Sequence, residues 1–274
     1  MNLNHAINIT YEFKFLETNI DNDKEHINNL NIGDSEKDRF SNIKCYSHNI
    51  VLINQEKNYI NASPINIINN RYFISTQGPK KETIEDFWEM IWENKSNVIV
   101  MLCNEKEGDR EKCARYWDEN KLKQFNKIHI EKEIKYTNYI VRKIKLFNNS
   151  EKKHRIVYQI HFIIWPDHGV PNIQNGKIFD IFIEVFKLVD QIRENFPIVV
   201  HCSAGVGRTG TFISMYFLEK EIKTQIINKV DIIKFSIFNL VRKLKEMRLY
   251  LVQTESQFRF IYEFVRHLLL KYNI

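Results

Sequence analysis

Two reactive groups stand six positions apart in the stretch His201-Cys202-Ser203-Ala204-Gly205-Val206-Gly207-Arg208-Thr209-Gly210. One is the thiol of Cys202, the other the guanidinium of Arg208. A free cysteine ionises at about pH 8.5, but a helix N-terminus or a neighbouring cation brings such thiols to roughly 3.5–7.5. The loop would therefore favour a thiolate, the nucleophilic form. Arg208 offers a planar fork of donors that fits two oxygens of a phosphate-sized anion. A thiolate beneath a held oxyanion is placed to attack its central atom and take up the group covalently. Such a displacement needs a proton for the departing oxygen. Asp167, in Trp165-Pro166-Asp167-His168-Gly169-Val170-Pro171, is a candidate for that acid. Two prolines and a glycine make its segment stiff yet able to hinge as a unit. General acid catalysis of this kind is worth roughly 10²–10⁴ in rate. The plain alternative is an aspartate at a turn before a helix.

These groups need elements to hold them. Ile198, Val199 and Val200 form a short β-branched run that predicts a buried strand. From Thr209 onward, Phe212, Ile213, Tyr216 and Phe217 recur at helical spacing. The small-residue loop between strand and helix would turn several backbone N–H groups, and the positive end of the helix dipole, toward one point. His201 could fix the loop through a hydrogen bond, and Thr209 could offer its hydroxyl to the sulfur. Two other readings fit parts of the stretch. Gly205, Gly207 and Gly210 spell G-x-G-x-x-G, but that dinucleotide fingerprint belongs near the start of a βαβ unit. It also leaves Cys202 and Arg208 without a purpose. A buried structural cysteine before a glycine-rich turn explains the thiol but not the arginine.

The Cys202 stretch resembles the signature loop of the phosphotyrosine-specific, cysteine-based protein tyrosine phosphatases, and the Trp165–Pro171 string matches the same family. The resemblance implies an α/β domain with a twisted mixed β-sheet flanked by α-helices on both faces. It implies two-step chemistry through a phosphocysteine, phosphotyrosine proteins or peptides as substrates, and no cofactor or metal. Cys202 would be the nucleophile and Arg208 the clamp. Backbone from Ser203, Ala204, Gly205, Val206 and Gly207 would hold the phosphate. Asp167 would serve as acid and then base, with Trp165 and His168 supporting it.

Other segments extend the likeness from about residue 35 to 270. Lys37-Asp38-Arg39-Phe40 with Cys45-Tyr46-Ser47-His48 resembles the family's phosphotyrosine-recognition loop, and Tyr59-Ile60-Asn61-Ala62-Ser63 the strand motif after it. Phe40 stands where a tyrosine is usual and would stack on the substrate ring, a contact worth about 0.5–1.5 kcal/mol. Asn42 replaces the usual aspartate that accepts from the peptide backbone, and a neutral acceptor is about half as strong. Asn42 could equally be a turn residue. Aligned from Lys112-Cys113-Ala114-Arg115-Tyr116-Trp117, Glu107 would hold Arg208 in position. Gln253-Thr254-Glu255-Ser256-Gln257-Phe258 resembles the last active-site loop, with Gln253 orienting the hydrolytic water and Gln257 in support; helix capping is the other reading for a glutamine there. Leu249-Tyr250 departs from the family's common Pro-Gly, and Tyr250 would narrow the cleft, so Tyr250→Gly should broaden peptide selectivity.

The rest of the chain reads as scaffold. Ile9, Phe13, Leu16, Ile20, Ile27 and Leu30 suggest short helices broken at Asp21-Asn22-Asp23. Tyr72–Thr76 reads as an edge strand, Thr83–Trp92 as a helix capped by Thr83, and Val98–Leu102 as a central strand. Residues 126–147 and 154–164 alternate as strands around an Asn148-Asn149-Ser150 turn. Residues 176–195, 212–222, 235–247 and 254–272 read as amphipathic helices. The 274 residues allow one catalytic domain, with 1–34 as an arm and 35–274 as the core. A net charge of +6, spread along the chain, suits anionic substrates and argues against a nucleic-acid stripe. Four cysteines without paired spacing fit a reducing, cytoplasmic setting; no leader pattern or bilayer-length apolar run is present. Two functional alternatives remain, a dual-specificity phosphatase and a phosphotyrosine-binding module that traps substrates without turnover.

Overall fold

The computed structural model describes residues 8–18, 31–54, 58–68, 71–118, 127–166, 169–173 and 176–274. Seven strands form its main sheet: β1 (Ala62–Ile68), β2 (Arg71–Thr76), β3 (Val98–Met101), β4 (Lys127–Lys135), β5 (Tyr139–Asn148), β6 (Lys153–Phe162) and β7 (Ile198–His201). Their spatial order is β4-β5-β6-β3-β7-β2-β1. β6, β3, β7 and β2 run parallel, β4–β5–β6 is an antiparallel meander, and β1–β2 is a hairpin. A parallel strand inside such a sheet is covered on both faces and has to be apolar throughout. β3 reads Val-Ile-Val-Met and β7 Ile-Val-Val-His, and every residue of both is buried.

The described helices are α1 (residues 8–18), α2 (Ile84–Glu93), α3 (Lys177–Ile192), α4 (Gly207–Ile227), α5 (Ile237–Met247) and α6 (Glu255–Tyr272). Phe73 of β2 and Phe162 of β6 mark one face of the sheet. There they meet Phe212, Tyr216 and Phe217 of α4 and Phe182 of α3. Ile198 pairs with Phe73 and Val98, so His201, three residues on, points the other way. It packs against Phe87 of α2 and Tyr116. Helices therefore cover both faces. α1 joins the same core through Ile9, Phe13 and Leu16, and Glu17 pairs with Lys245 at 2.8 Å.

Several expectations are corrected. Tyr72–Thr76 belongs to β2, an inner strand, and the edge is β1. The run 126–147 is two strands, because the chain turns between Lys135 and Tyr139. Thr83 does not cap α2; its hydroxyl accepts from the Lys80 amide and closes a single 3₁₀ turn at Lys81–Thr83. α4 starts at Gly207 and is not amphipathic: Gly207 to Lys220 are all buried, as a helix in the middle of a fold must be. Ile20, Ile27, Leu30 and the Asp21–Asp23 break lie outside the described residues. No helix among the described residues is long and apolar enough to cross a membrane.

Candidate active site

β7 delivers the chain to Cys202 at its C-terminal end, in the centre of the sheet, and α4 leaves from Gly207. Between them the backbone closes a tight loop. Gly205 has φ +69°, and a Cβ there would lie 2.1 Å from the Thr76 carbonyl oxygen, so only glycine fits. Gly210 lets the neighbouring loop approach, since a Cβ would stand 2.4 Å from the Val252 nitrogen.

The loop's carbonyls can be followed one by one. The Cys202 oxygen meets the His201 ring Nδ1 at 3.1 Å, and the Ser203 oxygen accepts from the Gly78 amide at 2.9 Å. The Ala204 oxygen accepts from Arg248 Nη2 at 3.2 Å. The Gly205 oxygen accepts from Arg248 Nε and the Ser75 hydroxyl, both at 2.9 Å. The Val206 oxygen accepts from the Gly210 and Val252 amides. In a trans peptide the following N–H points opposite to the carbonyl. Carbonyls pulled outward thus turn the amides of residues 203–207 inward. One of them, Gly205 N–H, donates to Cys202 Sγ at 3.3 Å. No side chain caps the start of α4, whose N-cap residue is Val206. An uncapped helix N-terminus continuing a ring of amides is an anion cradle.

A cavity of about 280 Å³ opens over this cradle. Cys202, Ser203, Ala204, Gly207 and Arg208 form its floor. Phe40 and Asn42, both exposed, stand on one wall, and Gln253 and Gln257 on another. Arg110, Lys112 and Gly169 also line it. Arg208 is held from behind by Glu107, with Nη1–Oε1 at 2.5 Å and Nη2–Oε2 at 2.7 Å, while Nη1 also donates to the Leu102 oxygen at 3.1 Å. The plane of the guanidinium is thereby set. Burial alone would lower the arginine's pKa, but the Glu107 bonds and the neighbouring Cys202 raise it above its ordinary value. Gln257 Oε1 accepts from the amides of Gln253 and Thr254, and the Thr254 hydroxyl accepts from the Gln257 amide, a reciprocal cap on α6. Capping and loop support are the same set of bonds.

His201 is fully buried, with Nε2 2.9 Å from the Tyr116 hydroxyl. Burial pushes its pKa down to about 3, so the ring is neutral. Trp165 is buried among Phe182 and Phe260, and its Nε1 donates to the Gly169 oxygen at 3.1 Å. The two described flanks of the acid segment are thus tied together, one of them at the cavity. Asp167 and His168 themselves lie outside the described residues.

Two expectations change. Thr209 Oγ1 is buried without a hydrogen-bond partner and makes none to the Cys202 sulfur. Tyr250 is not part of the cavity lining; it packs, half-buried, against Tyr46 and Leu249. Its φ of +65° lies in the left-handed region that favours glycine.

Three residues of weight receive no role from the sequence, although Asp38 stands inside the recognition-loop motif. Arg248, fully buried, holds the Ala204 and Gly205 oxygens while bonding Asn61 Oδ1 at 2.5 Å and the Ser63 hydroxyl at 3.2 Å. Asp38 anchors the recognition loop by accepting from the Tyr59 hydroxyl at 2.6 Å and Asn61 Nδ2 at 2.8 Å. Gln77 ties that loop to the cradle, bonding the Arg39 amide and the Lys37 oxygen one residue before Gly78. Nothing in the sequence marks Arg248 out from Lys245 and Glu246, which stand beside it between Leu244 and Leu251.

A family model described as protein-tyrosine phosphatase matches residues 34–267. The chain is 36% identical over 271 residues to tyrosine-protein phosphatase non-receptor type 20 of Rattus norvegicus, covering 96% of this chain and 61% of that protein. It is 38% identical over 264 residues to human receptor-type tyrosine-protein phosphatase alpha, 93% of this chain and 32% of the relative. The chain therefore spans less than two thirds of the length of these relatives. Among solved structures, the catalytic domain of human protein tyrosine phosphatase non-receptor type 18 superposes with a TM-score of 0.82 at 28% identity, over 97% of this chain and 98% of that one. Other structures of type 18 hold it in complex with HER2 phospho-peptides.

Proposed function

Since the chain belongs to the protein tyrosine phosphatase family, we propose that it hydrolyses phosphotyrosine in proteins through a phosphocysteine on Cys202. The observation that carries this is the loop whose carbonyls are all bonded outward, above which Cys202 and Arg208 share one cavity. In the first step the Cys202 thiolate attacks phosphorus, the phosphorus–oxygen bond breaks, and Asp167 gives its proton to the departing tyrosine oxygen. The inward amides and Arg208 take up the charge on the equatorial oxygens. In the second step Gln253 orients a water and ionised Asp167 removes its proton. The water oxygen then attacks phosphorus, and the phosphorus–sulfur bond breaks. Inorganic phosphate leaves and the thiolate is restored.

Phe40 on the wall suits a ring lying against it, which favours a long aryl phosphate over phosphoserine or phosphothreonine. Residues 35–274 are taken as one catalytic core with 1–34 as its arm, and four free, buried cysteines suit a reducing, cytoplasmic setting. The test is turnover of para-nitrophenyl phosphate by the wild type and by Cys202→Ser. Wild-type turnover abolished in the serine variant is expected. A phosphotyrosine peptide bound but not turned over would mark a substrate-trapping module instead. Equal rates on phosphotyrosine and phosphoserine peptides would mark dual specificity.

A further inference from the structure

Behind the cradle a single file of buried polar groups runs from the sheet's meander to the nucleophile's backbone. Arg142 on β5, buried at 7% exposure, donates from Nε to Glu133 Oε2 on β4 at 2.6 Å and from Nη1 to Gln159 Oε1 on β6 at 2.7 Å. Gln159 Nε2 lies 2.7 Å from the Tyr116 hydroxyl, which lies 2.9 Å from His201 Nε2, and His201 Nδ1 ends on the Cys202 carbonyl at 3.1 Å. The directions of these bonds follow from one fact: a guanidinium only donates. Its bond obliges Gln159 to present the carbonyl to Arg142 and the NH₂ to Tyr116. The Tyr116 oxygen accepts that bond, so its own proton is left for His201 Nε2. The alternative acceptor, the Met101 sulfur at 3.9 Å, is a weak one. A neutral imidazole that accepts at Nε2 carries its proton on Nδ1, where it can donate to Cys202.

We propose that Arg142 and Gln159 are positioning residues for the phosphatase reaction. By fixing the direction of this chain of hydrogen bonds, they hold His201 in the Nδ1–H tautomer that anchors the Cys202 carbonyl. The anchor keeps the Cys202–Ser203 peptide plane turned so that the Ser203 N–H faces the cavity, the first amide of the oxyanion cradle. The same arginine orients a second ring: Nη1 approaches His161 Nδ1 at 3.4 Å, and His161 Nε2 donates to the Cys103 oxygen at 2.9 Å. The two buried histidines are thereby set to opposite tautomers by one cation. The functional part of this inference rests on Cys202 being the nucleophile; the tautomer does not.

The experiment is nitrogen NMR of the histidine rings in the wild type and in Gln159→Glu, together with the inhibition constant for vanadate and kcat on para-nitrophenyl phosphate. Gln159→Glu keeps the shape but has no donor. Tyr116 would then give its proton to the new carboxylate and accept from His201 Nε2–H, leaving a lone pair on Nδ1 facing the Cys202 oxygen. The expected result is Nδ1–H in the wild type, Nε2–H in the variant, and roughly tenfold losses in kcat and vanadate affinity, the scale of one hydrogen bond. Gln159→Met removes the donor without reversing the chain, so it leaves the Tyr116 proton undirected and should give a mixture of the two tautomers, with a smaller loss of activity than Gln159→Glu. A wild-type ring protonated at Nε2 overturns the proposal even if no variant folds. So does an unmoved tautomer in Gln159→Glu, or a larger loss in Gln159→Met. A wild type without turnover on para-nitrophenyl phosphate would sink the phosphatase reading while leaving the tautomer result to stand or fall by itself.

Discussion

Arg208 can clamp a phosphate only if something else prevents it from collapsing onto the nearest carboxylate or swinging out to water. Glu107 does this by taking both terminal nitrogens, with its own side chain only 6% exposed. Removing one partner of a buried pair leaves an uncompensated charge, at a cost of about 3–5 kcal/mol. Glu107→Ala is therefore expected to lower stability by about that much and kcat/KM by at least tenfold; a variant with wild-type melting and kinetics would show that Arg208 needs no such support. Asn42 makes the opposite kind of prediction. It is exposed on the cavity wall, so no packing has to change. Asn42→Asp supplies a charged acceptor, about twice as strong as the neutral one. The peptide KM should fall several-fold, and by more than the KM for a small aryl phosphate. Equal KM values in the two proteins would make Asn42 a turn residue and nothing more.

At the scale of elements, the cradle is a loop shaped from outside. Its geometry depends on β2, whose Ser75 and Thr76 border it, on the Gly78 turn, and on Arg248 just past the end of α5. Gly205→Ala tests this dependence, because the added Cβ meets backbone on β2 rather than a side chain that can move. Activity should drop by about 10²-fold or more, the scale of losing oxyanion donors. The far-UV circular dichroism should stay near wild type. Retained activity would mean that the loop reaches its shape without Gly205 in the left-handed region. The reciprocal cap at Thr254 and Gln257 plays a similar part on the facing wall: it starts α6 and, through the Gln253 amide, sets where the candidate water-orienting side chain begins.

Across the whole molecule, two buried histidines make the stability of the fold depend on pH. Burial, and for His161 also Arg142, pushes the two histidines down to about 3 (His201) and about 4 (His161). In the unfolded chain each would titrate near the ordinary value of about 6.5. Between those limits the unfolded state binds protons that the native state refuses. Each ring thus contributes stability above about pH 6.5 that is lost as the pH falls toward its folded value. From pH 7 to 5 the loss is about 2 kcal/mol per ring. His161→Gln, which cannot titrate, should lose about 2 kcal/mol less than the wild type over that interval in urea unfolding, whatever its absolute stability. Parallel slopes would remove His161 from the account.

Local chemistry decided most of what the chain alone conveyed. The Cys202–Arg208 loop, the β-branched run before it and the helical spacing after it are contiguous, so strand, cradle and helix N-terminus were legible without any tertiary contact. Glu107 was reachable only through the family likeness, because its partner lies 101 positions away. Whether Tyr72–Thr76 sits at an edge, whether α4 shows a polar face and where Tyr250 packs depend on which segments come to lie beside them, and periodicity carries no such information. Most of the outward bonds of the cradle belong to the assembled fold. Arg248, the Ser75–Gly78 stretch and His201 reach it from three separate segments, and the file from Arg142 to Cys202 crosses three more. A hydrogen bond's direction depends on every partner along its chain, and those partners meet only when the sheet has closed around them.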